Sequence, residues 1–159
     1  MSRVHDLIPA QAIGQALELI PARLRNLTGC EFVVGVNPVF AGIHCYGDEY
    51  APEGHTYGDI AHCVQDIHQW LRPASDRTTK IILPSHRGYQ WDTWAGVHTV
   101  VHELGHVVHY NTEPSWAADP VSDYAHTNHM EAFAEAFAAW VWGDPIDPRT
   151  AGLLDTLAA

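Results

Sequence analysis

Positive charge is scarce in this chain. Eight lysines and arginines face 19 aspartates and glutamates over 159 residues, for a formal net charge of −11 with histidine neutral. Lys80 is the single lysine. A surface of that sign repels phosphodiester backbones and anionic headgroups, which argues against nucleic acid or anionic membrane as a partner. Cysteine is sparse too. Cys30, Cys45 and Cys63 are an odd number without C-x-x-C spacing, which argues against a disulfide framework or a cysteine-rich zinc ribbon and leaves buried thiols as the expectation. No apolar run approaches the roughly 20 residues of a membrane span. The opening M-S-R-V-H-D-L-I-P has no apolar core of the secretory kind. A cytoplasmic location is the default expectation, with release by a signal-independent route as the alternative. Apolar residues make up 47% of the chain, enough for one core, so residues 1–159 are expected to form a single, monomeric domain without internal repeats.

Histidine, in contrast, is abundant, with 12 residues. Val100–His109 reads V-V-H-E-L-G-H-V-V-H. On a helix, about 100° per residue puts His102 and His106 roughly 40° apart on one face. That is the spacing at which two imidazoles grip one zinc ion, with Glu103 beside it as a general base. A chain of this composition would show H-E-x-x-H by accident roughly 0.04 times, so the motif needs support from its surroundings. A metzincin would carry Gly at position 109 and a third histidine at 112; His109 and Thr112 stand there, and that reading is rejected.

The surroundings supply the support. With Asp92 as N-cap, Thr93–Tyr110 runs without proline, and Val97, Val100, Val101, Leu104, Val107 and Val108 give it a broad apolar surface. Gly105 weakens that helix by about 1 kcal/mol relative to alanine, and a close approach of backbone or side chain would explain its presence. Downstream, Ser122–Val141 places Glu131 and Glu135 one helical turn apart, with Phe133, Phe137 and Trp140 on the apolar part of the same helix. A catalytic zinc needs three protein ligands and an open fourth position, and a carboxylate from a second helix can supply the third. Alternatives stay open. With Asn128 as N-cap, Glu131 occupies the N3 place of a capping box, and Glu135 would then be the ligand. His102 and His106 could be core histidines, and Tyr124 a packed aromatic. His98 and His109 extend the histidine stripe and suit packing or support of the ligands from behind. His126 and His129 are expected to be exposed.

H-E-L-G-H followed by Y-A-x-T-N-x-x-E-A-F-A-E-A-F resembles the zincin metallopeptidases of the gluzincin type. It is particularly similar to the catalytic domains of anthrax lethal factor and the Pro-Pro endopeptidases, over about forty residues, His98–Ala138. The resemblance implies Glu131 as the third zinc ligand, Tyr124 as a catalytic group stabilising the transition state, and Glu135 as the carboxylate that orients a zinc-bound histidine. It also implies that an extended peptide lies along the strand preceding the active helix, Lys80, Ile81, Ile82 and Leu83, by backbone hydrogen bonds. Tyr89, Trp91 and Trp94 are then candidate pocket residues, or core aromatics.

The remaining expectations follow chain order. Pro9–Leu27 reads as a helix through Ile13, Leu17, Ile20, Leu24 and Leu27, kinked or restarted at Pro21 and closed by Gly29. Glu31–Val36 and Val39–Tyr46 read as strands. Gly47–Gly58 is an acidic loop, solvated rather than calcium-binding because the EF-hand spacing is absent. Asp59–Leu71 is ambiguous between strand and helix, and Lys80–Leu83 is a strand stopped by Pro84. Gly143 ends the second acidic helix, and Asp147-Pro148 opens a terminal helix to about Leu157. The expected fold is α+β and zincin-like, a small mixed sheet packed on the active-site helix followed by the second zinc-ligand helix. The expected function is zinc-dependent hydrolysis of peptide bonds in a peptide or protein substrate. Two alternatives are a lysin-type peptidase acting on cell-wall peptide amides and a catalytically silent, zinc-stabilised binding module.

Overall fold

The computed structural model describes residues 3–27, 31–34, 62–64, 79–83 and 94–159. Helices make up most of them: α1 (Arg3–Leu19), a 3-10 segment (Ala22–Leu27), α2 (Trp94–Thr112), a 3-10 turn (Tyr124–His126), α3 (His129–Val141) and α4 (Pro148–Ala158). The strands are short: β1 (Glu31–Val34), β2 (His62–Val64) and β3 (Lys80–Leu83). Strand 39–46, loop 47–58, Asp92, Tyr89, Trp91, Cys30 and Cys45 lie outside the described residues.

The first helix differs from its expected bounds. It starts at Arg3 and continues through Pro9, although proline lacks the N–H that would bond one turn back. The buried stripe runs from Ala12 and Ala16 of α1 through Ile20, just past its end, to Leu24 of the 3-10 segment, while Ile13 and Leu17 pack at the helix margin. Alanine at both buried α1 positions lets that helix lie close against α2. Pro21 restarts the chain as the 3-10 segment, as expected.

The sheet has the order β1-β3-β2. β1 runs parallel to β3, with Glu31 opposite Lys80 and Val34 opposite Leu83. β2 runs antiparallel to β3, with His62 opposite Ile82 and Val64 opposite Lys80. The ambiguous stretch 59–71 therefore contains a strand. One expectation is corrected here. Lys80, Ile81, Ile82 and Leu83 form the central strand, and its backbone donors and acceptors are engaged on both sides along Lys80–Ile82. A strand so paired has no free edge to offer an extended peptide.

The core gathers on α2. Val100, Val101, Leu104, Val107 and Val108 are fully buried, together with Ile81 of β3, Phe133 and Phe137 of α3 and Leu154 of α4. Each such side chain contributes about 1.5–3 kcal/mol by leaving water. Both ends of α3 are well defined. Asn128, in extended conformation, accepts the Glu131 N–H. At the other end Gly143 takes φ +83°, and the Gly143 and Asp144 amides donate to the Trp140 and Ala139 carbonyls, a Schellman stop. The Asp147 carboxylate caps α4 at Thr150 and accepts the Asp119 N–H at 2.9 Å. Trp116 adds a bond to the Thr150 hydroxyl at 3.2 Å, so the α2–α3 connection is fastened to α4.

Gly105 lies where α2 and α3 cross. A Cβ at this position would sit 3.0 Å from Ala134 Cα and 3.1 Å from both its carbonyl oxygen and Phe137 Cβ. Two of these three neighbours are backbone atoms in a capped helix, so they yield little. Gly105→Ala would gain about 1 kcal/mol of helix propensity but incur about 1–3 kcal/mol of overpacking. The expected result is a net loss of stability and a melting temperature lower by about 2–4 °C per kcal/mol lost. A higher melting temperature in thermal unfolding would show that the crossing is looser than described.

Candidate metal centre

The valines and Leu104 that bury α2 carry the residues between them into the interior. His102, Glu103 and His106 retain 7%, 5% and 6% exposure. Polar groups so placed need partners, and α3 supplies them to both ring nitrogens of His102 and to Nε2 of His106. With the backbone N–H of Glu131 satisfied by Asn128 at 2.9 Å, the Glu131 side chain is released from capping. Its Oε2 lies 2.9 Å from His102 Nε2 and 3.3 Å from His106 Nε2. Asn128 thus caps the helix, while Glu131 turns to the histidines.

One nitrogen from each histidine and one Glu131 oxygen lie within 4.8 Å of one another. Zinc bonds of about 2.0–2.2 Å in tetrahedral array set neighbouring ligand atoms roughly 3.3–3.5 Å apart. The separations of 2.9 and 3.3 Å fit such an array after an outward shift of a few tenths of an ångström. Three ligands of this kind leave a fourth position open. The neighbouring Glu103 Oε2 is buried and has no hydrogen-bond partner among the described residues. The donor set therefore suits a divalent metal ion.

Behind the cluster, Glu135 fixes the His102 ring. Its Oε2 accepts from His102 Nδ1 at 2.8 Å, leaving Nε2 toward Glu131, and its Oε1 accepts the Ser122 hydroxyl at 2.8 Å. His98 Nε2 approaches Glu135 Oε2 at 3.8 Å, and the Trp142 indole donates to His98 Nδ1 at 3.1 Å. An indole N–H can only donate, so His98 Nδ1 is the lone-pair nitrogen and Nε2 carries the proton toward Glu135. Tyr124 is 53% exposed, its ring centroid 5.7 Å from that of His102. His109 is stacked on Phe133 at 4.7 Å and meets His129 edge-on, a packing role. His126 and His129 are exposed.

Burial and charge push these groups apart. Desolvation alone would lower the His102 imidazole, but its bonds to Glu131 and Glu135 outweigh it and raise the pKa to about 10. Desolvation would raise Glu131; the hydrogen bonds from His102 and His106 instead hold it far below the usual carboxylate range. Glu135 is held down chiefly by its bond from His102, then by His98. Glu103 moves the other way, raised by burial against the pull of His106 and His102. Burial, reinforced by the charges of Glu131 and Glu103, raises the Tyr124 phenol. Burial lowers His109 to about 4, which keeps it neutral.

No protein-family model, curated protein or solved structure matches the chain. No helix among the described residues is long and apolar enough to cross a membrane. Two members of the cluster escaped sequence reasoning. Ser122 carried a signal, since a serine three residues before a buried alanine can close a turn through its hydroxyl. Trp142 carried none, because its partner His98 lies 44 residues away.

These shifts imply a pH dependence for the metal-free protein. A raised His102 contributes its stability in full below its ordinary 6.5 and loses it as pH climbs toward about 10. Depressed Glu131 and Glu135 contribute above their ordinary 4.5 and lose that contribution as pH falls. With chelator present, the His102 contribution should therefore decline on the alkaline side of pH 6.5, while on the acid side neutral His109, held at about 4, and the depressed carboxylates withdraw stability as pH falls. Thermal unfolding across pH should show His102→Ala flattening that decline. An unaltered alkaline limb would mean that His102 does not carry the charge.

Proposed function

We propose that the chain is a zinc-dependent peptidase of the zincin type, resembling the gluzincins. The convergence of His102, His106 and Glu131, with Glu103 Oε2 buried beside them and unpartnered among the described residues, carries the reading. His102 and His106 of α2 and Glu131 of α3 would hold the ion, with Glu135 orienting His102. Zinc, when bound, supplies a water of lowered pKa and a Lewis acid for the scissile carbonyl.

The chain's own groups do the rest. Glu103, made more basic by burial, takes the proton of the attacking water on Oε2 and returns it to the leaving amine nitrogen. Tyr124 keeps its proton because burial and the nearby carboxylates hold its pKa up. It can therefore donate to the oxygen that becomes negative in the transition state. An extended peptide could pair only with an outer strand. Of the two described, β2 packs on α2 and already runs antiparallel to its neighbour.

Purified protein should contain about one zinc and cleave a peptide library or purified cell wall in a chelator-sensitive way. The substrate that disappears distinguishes protein-directed from wall-directed activity. Glu103→Gln should lose turnover with its metal retained, and full activity in that variant would remove the mechanism. Tyr124→Phe should lower kcat about 10²-fold or more with little change in KM; an unchanged kcat would take the phenol out of the scheme.

A further inference from the structure

Tyr124 poses a positional problem. Its side chain is 53% exposed, and its neighbours Asp123 and His126 are exposed as well. The His102 ring at 5.7 Å and the Glu131 carboxylate touch only one side of the Tyr124 ring, so the turn beneath it shares in placing the hydroxyl. That turn is closed by the Thr127 amide on the Tyr124 carbonyl at 3.0 Å and the His126 amide on the Asp123 carbonyl at 3.2 Å. It has two anchors. One is Ala125, buried at 2% exposure. The other is Ser122, whose hydroxyl oxygen accepts the Ala125 N–H at 3.2 Å.

The Ser122 hydroxyl has one proton, and that proton is given to Glu135 Oε1 at 2.8 Å. An ionised carboxylate only accepts, so the direction of this bond is set and the serine oxygen is left to receive Ala125 N–H. The other oxygen of the same carboxylate receives His102 Nδ1–H at 2.8 Å. An unbroken run thus leads from the His102 ring through Glu135 and Ser122 to the amide that follows Tyr124. We propose that Ser122 is a positioning residue: it ties the Tyr124 turn to the carboxylate that orients His102, so that hydroxyl and metal site share one reference point. The catalytic part of this inference rests on the peptidase reading; the strut itself does not.

The test uses the full chain with zinc added, as wild type, Ser122→Ala, Ser122→Thr, Tyr124→Phe and the Ser122→Ala/Tyr124→Phe double variant. Amide hydrogen exchange reads the strut directly. Ser122→Ala removes the oxygen that accepts the Ala125 N–H, so exchange at Ala125 should speed up about tenfold, with recovery in Ser122→Thr. Zinc content should stay at the wild-type value in both. On the cleaved peptide, Ser122→Ala should lower kcat about tenfold with KM within about twofold, and the double variant should be no slower than Tyr124→Phe alone. Unchanged exchange at Ala125, loss of zinc from Ser122→Ala, or rate losses that multiply in the double variant would each overturn the proposal. If wild type cleaves nothing, the peptidase reading fails, and the exchange result alone then decides for or against the strut.

Discussion

The distance at which α2 and α3 cross governs the rest of the molecule. It is set where Gly105 meets the backbone of Ala134, between the two histidines that face Glu131. Both helices repeat every turn, so a close crossing brings His102 and His106 level with Glu131 and Glu135. A side chain at 105 would separate the rows, and the short contacts at 2.8–3.3 Å depend on their nearness. The glycine that is costly to the helix is thus what allows two rows of ionisable groups to meet.

Such a meeting would be expensive if the groups were unpaired, because buried charges cost several kcal/mol each unless opposed. Here the acids outnumber the bases. Glu103, Glu131 and Glu135 surround the His102 and His106 rings, and His102 is held between two carboxylates. A cluster with that balance favours a cation. The surrounding valines and phenylalanines keep water out and so strengthen each interaction within it.

Much of this could be read from residue order, and the parts that could not have physical reasons. The helix carrying His102 and His106 follows from its valine periodicity; the spacing puts Glu131 and Glu135 on one face, but only the resemblance favoured Glu131, since the Asn128 cap offered it a rival place in a capping box. The ends of α3 and α4 follow from Gly143 and Asp147-Pro148, local chemistry that needs no tertiary partner. The start of α1 did not follow, because Pro9 is favourable in a first turn and misleads when a helix runs through it. Lys80–Leu83 was recognisable as a strand from its β-branched and aliphatic run. Its place in the sheet was not, because β1 and β2 reach it from 49 and 18 residues away in the register pairs Glu31–Lys80 and Cys63–Ile81. A run of apolar residues buried between two neighbours reads the same as one at an edge.

The division of labour among the carboxylates shows what such a core achieves. Glu103, Glu131 and Glu135 are chemically identical, yet their surroundings separate them. Two face imidazole nitrogens and are held ionised far below the ordinary range. The third has one oxygen with no donor among the described residues and is pushed up by burial. Groups whose environments drive their pKa values apart are suited to different tasks. A permanently ionised carboxylate can ligate a metal or orient a ring, whereas one raised toward neutrality can accept a proton and release it again. On α2, Glu103 follows His102 directly, and the helix turns it about 100° away from that histidine's face. Adjacency in sequence therefore keeps Glu103 beside the His102–His106–Glu131 group without placing it among those three.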